Sequence, residues 1–502
     1  MRKKFVFFIL WVPVSLFAQQ RNSIWCFGDS AGIDFTNIQN PLPISSSLDT
    51  RGSSVSIADS TGALLFYANT RANTGAFTTL VWNKNNQQMQ NGDSIVGDAW
   101  YNELVIVPAP GTNSLFYLFS VGVTEDYGLY YSALDLSLNA GLGAVTQKNI
   151  QLNNYPGIDC ISAAKHANGR DWWLIFRRWN TANNEFYLYL ITPSGISPPL
   201  LQSIGDLVHT NNGNLVFSKD GTKVLFTDYL GLIEVLDFDR CTGIFSNCKV
   251  ISSETTLFNA GIAGAAFSPS SDCVYITANY QGGGNYDTSY LYQYNLMDSI
   301  ISTSKDTLFT FLKPDVAGKV VLAPDDKIYL SCAYEPPNVL AYPYPDSVRN
   351  NTNEHLSVVN YPDSIGDACN FQPFSFYLGG KRTYYGLPNN PNYDLIAVGG
   401  SQCDTLGLPN QVSAQTFSIA TTLNIYYNSD LKVVFLNGGD LAGNLFTLTI
   451  HDLIGREVFS KEVGFSSGYF NESLSLNMLT SGIYIISIAT ESEMLSKKLI
   501  FE

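Results

Sequence analysis

The densest group of residues that could contact a ligand lies between positions 172 and 179. It contains three tryptophans and two arginines, namely Trp172, Trp173, Arg177, Arg178 and Trp179. Aromatic faces stack on sugar rings, and a guanidinium binds a carboxylate through two parallel hydrogen bonds. We therefore take these five as candidate ligand-binding residues. The alternative follows from strand alternation, which turns one of two adjacent tryptophans into the core between sheets.

Residues that could perform catalysis form no recognisable constellation. The four histidines lie far apart and form no H-x-x-x-H pair: His166, His209, His355 and His451. The nucleophile-elbow pattern G-x-S-x-G is absent, and the glycine cluster at 281–285 lacks the Lys-Ser/Thr of a phosphate loop. Asp325 and Asp326 stand where a turn is expected, and His166 is expected to cap backbone groups beside one. We predict no catalytic residue, no metal ligand and no cofactor; no motif indicates calcium, although calcium is compatible with the sequence.

Cys241 and Cys248 frame the stretch C-T-G-I-F-S-N-C. A glycine-containing turn could bring them across a hairpin, so they are a candidate disulfide, with unpaired thiols as the equal alternative. The remaining cysteines show no C-x-x-C or Cys/His spacing and are expected to be buried thiols or members of distant bridges: Cys26, Cys160, Cys273, Cys332, Cys369 and Cys403.

The elements that must position these residues are strands. The 502-residue chain is 45% hydrophobic and 13% aromatic but only 14% charged, whereas about 25% is typical, so it is a folded protein. Short Tyr-, Phe- and Val-rich runs separated by glycines indicate an all-β fold. The formal net charge of −15 makes nucleic acid an unlikely partner, because affinity for phosphates comes mainly from Lys and Arg.

The N-terminus predicts export. Arg2, Lys3 and Lys4 precede an apolar run over residues 5–17, and Ala18 is a small residue suited to cleavage. This order is typical of a secretory signal peptide over residues 1–18. No later stretch of 18 apolar residues follows, so we expect no transmembrane segment in the mature chain.

A hairpin unit recurs through most of the chain. An alternating apolar run, a tight turn and a second aromatic run repeat at about 53-residue intervals. The turns are marked by Gly62, Gly111, Gly169, Gly221, Ser271, Asp325 and Gly380. Small antiparallel sheets at this period predict a six- or seven-bladed β-propeller over residues 19–406, with seven preferred. The N-terminal strand S-I-W-C-F-G is expected to complete the last blade; an array of β-sandwiches is the structural alternative.

Several blade motifs resemble a Bacteroidetes family of secreted propeller-like proteins. They include S-T-G-A-L-L-F-Y at 60–67, K-H-A-N-G-R-D-W-W at 165–173, F-D-R-C-T-G at 238–243 and Y-G-L-P-N at 385–389. The resemblance covers roughly residues 24–406. It implies a propeller fold and no settled activity.

The C-terminal residues resemble a type A sorting domain of the type IX secretion system. The resemblance rests on H-D-L-I-G-R-E-V-F at 451–459, L-S-L-N-M-L-T-S-G-I-Y-I-I-S-I at 474–488 and K-K-L-I-F-E at 497–502. It implies a small β-sandwich over residues 423–502 that directs the chain across the outer membrane, after a linker at 407–422. The usual Tyr-Pro-Asn-Pro-like opening is replaced by I-Y-Y-N-S at 425–429, and an ordinary accessory β-sandwich is the alternative.

These features predict a secreted or cell-surface, non-enzymatic propeller. We expect it to bind glycan, peptide or matrix ligands and to engage the type IX secretion machinery through its C-terminal domain. The alternative is a secreted propeller hydrolase or lyase acting on polysaccharide. A buried acid pair or a metal near the central tunnel, with shifted pKa values, would favour the enzyme, whereas a tunnel lined by Ser, Thr and backbone groups would favour binding.

The resemblance to Bacteroidetes proteins implies a modification, because these bacteria commonly O-glycosylate exported proteins at Asp-Ser or Asp-Thr followed by an apolar residue. Six positions match this pattern: Ser94, Ser299, Thr307, Ser347, Ser364 and Thr405. Turn formation ahead of strands explains the same dipeptides without a glycan.

Overall fold

The computed structural model divides the chain into two compact units, Met1–Gln411 and Val412–Glu502. The residues it describes are 20–71, 77–124, 126–179, 183–253, 260–282, 285–335, 348–406, 410–411, 422–428, 433–439, 445–452, 455–464, 470–475, 482–489 and 494–501. The predicted signal peptide at 1–18, Ser347 and most of the predicted linker at 407–422 lie outside these ranges.

The first unit contains seven antiparallel sheets that follow one another along the chain. Sheet 1 contains β1 (Ile24–Phe27), β2 (Asp29–Asp34) and β3 (Leu42–Asp49), and sheet 2 contains β4 (Ser54–Ala58), β5 (Leu64–Thr70) and β6 (Thr79–Asn83). Sheet 3 contains β7 (Leu104–Pro108), β8 (Leu115–Gly122), β9 (Gly128–Asp135) and β10 (Ala144–Asn153). Sheet 4 contains β11 (Gly157–Lys165), β12 (Trp172–Arg178), β13 (Glu185–Thr192), β14 (Gly195–Ile196) and β15 (Leu200–Ser203).

Sheets 5 to 7 have four strands each. Sheet 5 contains β16 (Gly213–Phe217), β17 (Lys223–Asp228), β18 (Leu232–Asp239) and β19 (Ile244–Ser253). Sheet 6 contains β20 (Ala260–Phe267), β21 (Cys273–Gly282), β22 (Asn285–Asn295) and β23 (Asp306–Leu312), and sheet 7 contains β24 (Asp315–Leu322), β25 (Ile328–Tyr334), β26 (His355–Val359) and β27 (Phe371–Tyr377). Short 3₁₀ turns occur at Asn139–Gly141, Ile301–Ser304 and Gly366–Cys369.

The predicted turn markers occupy equivalent positions in six of the sheets. Each lies between the first and second strand of sheets 2 to 7, where the backbone has a positive φ that glycine adopts at no steric cost. In sheet 7 the positive φ falls at Asp326, one residue after the predicted marker. Gly380 is different, because it follows the last strand of sheet 7. The seventh blade is sheet 1, at the other end of the unit.

The seven sheets form a closed β-propeller. The first strands contact one another in chain order, from β1 through β4, β7, β11, β16 and β20 to β24. Sheets 1 and 7 meet through a buried cluster in which the rings of Trp25 and Tyr329 lie 6.1 Å apart. The predicted completion of the last blade by the N-terminal strand is wrong, because β1 pairs with β2 and sheet 7 supplies all four of its own strands.

Residues 382–398, which we call the axial segment, run along the inner strands of the ring. The backbones of Arg382 and Asp29 pair, and the guanidinium lies 2.5 Å from that carboxylate. The Asn389 side-chain amide donates to the carbonyl oxygens of Leu104 and Ile161, at 3.0 and 2.8 Å. The backbone N–H of Val398 finally donates to the carbonyl of Ala167 on sheet 4. The axial segment therefore ties the two ends of the ring to its middle.

A disulfide fixes the chain just after the axial segment. Cys241, in the turn between β18 and β19, is bonded to Cys403, and Cys248 is a free, half-buried thiol. The candidate Cys241–Cys248 bridge is therefore contradicted. The register explains the difference, since Cys241 is at the tip of the hairpin while Cys248 lies further along β19, beside Lys249, which pairs with Val235.

The second unit contains two antiparallel sheets that form a small β-sandwich. One sheet contains β30 (Thr422–Asn428), β31 (Val433–Gly439) and β34 (Phe470–Ser475); the other contains β32 (Leu445–Asp452), β33 (Glu457–Gly464), β35 (Gly482–Ala489) and β36 (Met494–Phe501). Leu448, Ile450, Ile486 and Ile488 alternate on adjacent strands and are buried. Two short strands of the first unit, β28 (Ala397–Val398) and β29 (Asn410–Gln411), pair in parallel.

Candidate functional site: the central cavity

A cavity of about 630 Å³ lies among the inner strands of the ring. Sheets 5, 6 and 7 line it with residues 215–220, 269–271 and 319–324, which are the ends of first strands and the turns that follow them. Residues 388–392 of the axial segment line it as well. The cavity is within the size range of small-molecule sites.

The cavity combines apolar walls with neutral polar groups and with five charged residues, namely Lys219, Asp220, Lys319, Asp326 and Asp394. Phe217, Val321 and Leu322 line it and are partly accessible. Asn390 and Asn392, with other amides and hydroxyls such as Ser162, Ser270 and Ser271, supply hydrogen-bonding atoms along the same surface. This mixture is suited to a ligand that carries both apolar faces and hydroxyl or amide groups.

An ion pair lies where the cavity meets solvent. Lys219, in the turn of sheet 5, and Asp326, in the turn of sheet 7, both line the cavity, and their charged atoms are 2.6 Å apart. The two side chains are 50% and 53% exposed, so solvent screens the interaction. The Asn392 amide donates to the Lys219 carbonyl at 2.7 Å, which joins the axial segment to the same place.

Three carboxyl groups are buried at or just before the starts of the first strands β7 and β11, outside the cavity lining. Asp159 accepts hydrogen bonds from the backbone N–H groups of Tyr101 and Asn102, both at 2.8 Å, and Glu103 accepts those of Asp98 and Trp100. Burial raises the pKa of Asp159 to about 7. Burial also raises the pKa of Glu103 well above its usual range, and the carboxylates of Asp159 and Asp98 add to this.

These carboxyl groups have a structural role. Asp98, Glu103 and Asp159 are almost completely inaccessible, and none of them lines the cavity. Their oxygens hold the backbone of residues 98–102 and, through Asp98, the backbone at Thr124. A buried acid pair with raised pKa values is the feature expected to favour an enzyme, and Glu103 and Asp159 form such a pair. Neither side chain lines the cavity, so a substrate bound there would not reach them.

Lys319 joins this cluster to the cavity wall. Its ammonium donates to the side-chain oxygens of Asn102 at 2.6 Å and Asn389 at 3.3 Å, and burial lowers its pKa to about 7. Asp394 lines the cavity from the axial segment, and burial raises its pKa to about 6. Lys165, whose pKa burial lowers to about 8, donates to the Tyr393 carbonyl.

The structure places the predicted aromatic and cationic cluster mainly in the core. Trp172 and Trp173 are buried on opposite faces of sheet 4, each between two sheets. Arg177 is fully buried, bonded to Glu234 at 2.5 Å and packed between the rings of Phe186 and Phe226. This burial contradicts the ligand-binding interpretation for these three residues, because a ligand cannot reach them.

Arg178 and Trp179 are partly exposed, but they too have structural partners. Arg178 pairs with Glu185 at 3.1 Å and lies over the ring of Tyr155. Trp179 packs against the buried cluster between sheets 4 and 5. His166 caps backbone groups, as predicted: its ring nitrogens contact the Cys241 carbonyl at 2.9 Å and the Asn168 N–H at 3.1 Å.

Four of the six predicted glycosylation positions are exposed. Ser94, Ser299, Thr307 and Thr405 are open to solvent, and Ser364 is half-buried. Ser347 lies outside the described residues. Among the residues that the structure does describe, no group of three His, Cys, Asp or Glu is arranged to hold a metal ion.

Residues 421–502 match the family of secretion system C-terminal sorting domains. The C-terminal unit is a sorting domain. This sorting domain identifies the chain as cargo of the type IX secretion route of Bacteroidetes, delivered to the extracellular space or the cell surface. In the described part of the chain, no helix is long and apolar enough to cross a membrane.

Solved structures resemble the propeller only distantly, and no curated protein matches the chain. A protein from Lactobacillus plantarum is 10% identical, with 71% of this chain and 93% of that chain covered, at a TM-score of 0.40. The β-propeller domain of a Myceliophteria thermophila protein is 10% identical, with 62% and 93% covered, at 0.34. A puromycin-hydrolyzing peptidase of Mycobacterium tuberculosis is 8% identical, with 95% and 60% covered, at 0.38. At these TM-scores the likeness carries no argument, and the fold is assigned from the strand topology above.

Proposed function

We propose that the exported propeller is a binding protein whose central cavity takes a glycan or a peptide. The observation that carries this proposal is the chemistry of the cavity lining, in which amides, hydroxyls and backbone groups alternate with apolar walls. Such a surface supports recognition of a ligand with many neutral hydrogen-bonding groups. The partly exposed Phe217 offers an aromatic face of the kind that packs on a sugar ring.

We infer that the carboxyl groups that line the cavity do not act as a catalytic pair. Glycoside hydrolysis requires two carboxyl groups at a defined separation across the scissile bond. Asp220 is occupied by the hydroxyls of Ser218 and Thr222, and Asp326 by Lys219. Asp394 would then act without a second acid, which favours binding over hydrolysis.

The test is a glycan and peptide array on the full chain, with and without added calcium. Leu322→Trp fills the cavity and should lower binding at least tenfold, because a ring would occupy ligand volume. Leu312→Trp is the matched control, since Leu312 is 65% exposed on the last strand of sheet 6. Equal binding by the two variants, with equal melting temperatures, would place the ligand elsewhere. Release of reducing ends from a polysaccharide panel that Asp394→Asn abolishes would favour the hydrolase.

Export through the sorting domain has its own test. Deletion of residues 423–502 should leave the propeller folded and retained in the periplasm, because the two units are separately compact. Immunoblots of cell fractions from the native host measure the location. Delivery of the truncated chain to the surface would contradict the assignment.

A further inference from the structure

The Cys241–Cys403 disulfide stands between the axial segment and the sorting domain in the chain. The axial segment ends at Val398, Cys403 follows five residues later, and the second unit begins at Val412. Among the described residues after Cys403, the only backbone pairing with the axial segment is that of Asn410–Gln411 with Ala397–Val398. A two-residue pairing is a weak connection compared with a covalent bond.

The residues on the other side of the disulfide are held firmly. The carbonyl oxygen of Arg240 accepts hydrogen bonds from the Ala167 N–H and from the Trp173 indole, both at 2.9 Å. The neighbouring carbonyl of Cys241 contacts the His166 ring at 2.9 Å. Cys241 is thus anchored to the junction of sheets 4 and 5 by bonds that do not involve the tail.

Arg240 also holds the axial segment directly. Its buried guanidinium donates to the carbonyl of Ile396 at 2.7 Å and to that of Lys165 at 2.8 Å. Two consecutive residues therefore hold the chain on either side of Val398: Arg240 bonds to Ile396 before it, and Cys241 bonds to Cys403 after it. The Arg240 contact is a charge-assisted hydrogen bond, and the Cys241 contact is a covalent disulfide.

We propose that this disulfide is a clamp that isolates the propeller from its C-terminal tail. When the tail is displaced, the Asn410–Gln411 pairing releases first, and the load then passes through Cys403 to Cys241. The axial segment upstream of Cys403 carries none of it. The axial segment, and the cavity wall that it forms, stay in place whatever happens to the sorting domain.

Hydrogen exchange of the full chain tests the clamp. Cys241→Ser combined with Cys403→Ser removes it, and Cys248→Ser is the matched control because Cys248 is a free thiol on the same hairpin. Without the clamp, peptides covering residues 389–398 should exchange on the order of tenfold faster, whereas strand β8 (Leu115–Gly122) should not change. The control variant should behave as the parent chain.

Reduction of the folded parent chain with a phosphine gives the same comparison without substitutions, which covers a variant that fails to fold. Faster exchange confined to residues 389–398 supports the clamp in either format. Exchange that rises equally in β8 and in residues 389–398 would show that the disulfide stabilises the whole unit, and would overturn the proposal. Unchanged exchange at residues 389–398 would also overturn it.

Discussion

The buried ion pair between Arg177 and Glu234 leads to the sharpest prediction. Both side chains are completely inaccessible, and the guanidinium lies 3.8 Å from the ring centre of Phe226 and 4.3 Å from that of Phe186. Burial raises the pKa of Glu234, and Arg177 opposes that shift. Arg177→Met removes the positive charge that opposes this shift and leaves the Glu234 carboxyl group in an apolar core.

The expected loss in the free energy of unfolding is about 3–5 kcal/mol, the cost of leaving one partner of a buried pair uncompensated. Arg178→Met is the control on the next residue. Its pair with Glu185 is 28% exposed on both sides, so solvent screening limits the loss to about 1 kcal/mol or less. Arg177→Met combined with Glu234→Leu should recover most of the loss, because no charge is then buried.

Urea unfolding followed by tryptophan fluorescence measures these differences. In Arg177→Met the folded-state pKa of Glu234 rises further above its unfolded value. The variant therefore loses stability as pH increases from about 4.3, and its deficit is larger at pH 7 than at pH 5. An Arg177→Met loss no larger than that of Arg178→Met, or a double variant as unstable as the single one, would refute this reasoning.

Three further predictions concern the buried acids, the axial segment and the surface. Burial raises the pKa of Asp159 to about 7, so the folded chain binds more protons than the unfolded chain from about pH 4 to 7 and loses stability as pH rises. The free energy of unfolding, measured by urea titration, should change less with pH in Asp159→Asn than in the parent chain, by at most ~4 kcal/mol across that window. Equal pH dependence in the two proteins would contradict this prediction. Gly386→Ala should lower the melting temperature by several degrees, because a Cβ there would overlap the Gly52 carbonyl. In the control Gly141→Ala the new Cβ meets open space, so its change in melting temperature measures only the strain of a left-handed backbone. Equal changes in the two variants would exclude the overlap. Two or more of the six Asp-Ser or Asp-Thr positions should carry glycans in protein from the native host, and an intact mass equal to the processed polypeptide would contradict this.

The propeller was predictable because its turns are local. A positive φ between two strands selects glycine, or a residue such as Ser271, within a few positions of the strands it joins, so the repeat shows in the sequence. Sheet 1 was not counted because its first turn, Gly28-Asp29-Ser30, comes 34 residues before Gly62 and so departs from the 53-residue period. Gly380 was counted instead, since it has the same sign of φ but follows the last strand.

The burial of both tryptophans could not be read from alternation alone. Alternation places adjacent side chains on opposite faces of a strand, and in a sheet with one solvated face one of them is exposed. In the propeller both faces of sheet 4 are covered by neighbouring sheets, so Trp172 and Trp173 enter different cores. The tertiary arrangement decides the outcome.

The cavity residues carried no local signal. Asn389 acts through Leu104 and Ile161, which are 285 and 228 positions away. Lys319 reaches Asn102 across 217 positions. Amides and lysines at such separations resemble ordinary turn and surface residues until the ring brings them together.

The pairing of Arg382 with Asp29 spans 353 positions, and it determines when the chain can finish folding. Sheet 1 is synthesised first, but its partner is among the last residues of the unit to arrive. Contacts between such distant positions form slowly, because the entropy cost of closing a long loop comes before the contacts can stabilise the fold. A chain that ends before position 382 therefore lacks both the pairing partner of Asp29 and the sorting domain that follows it.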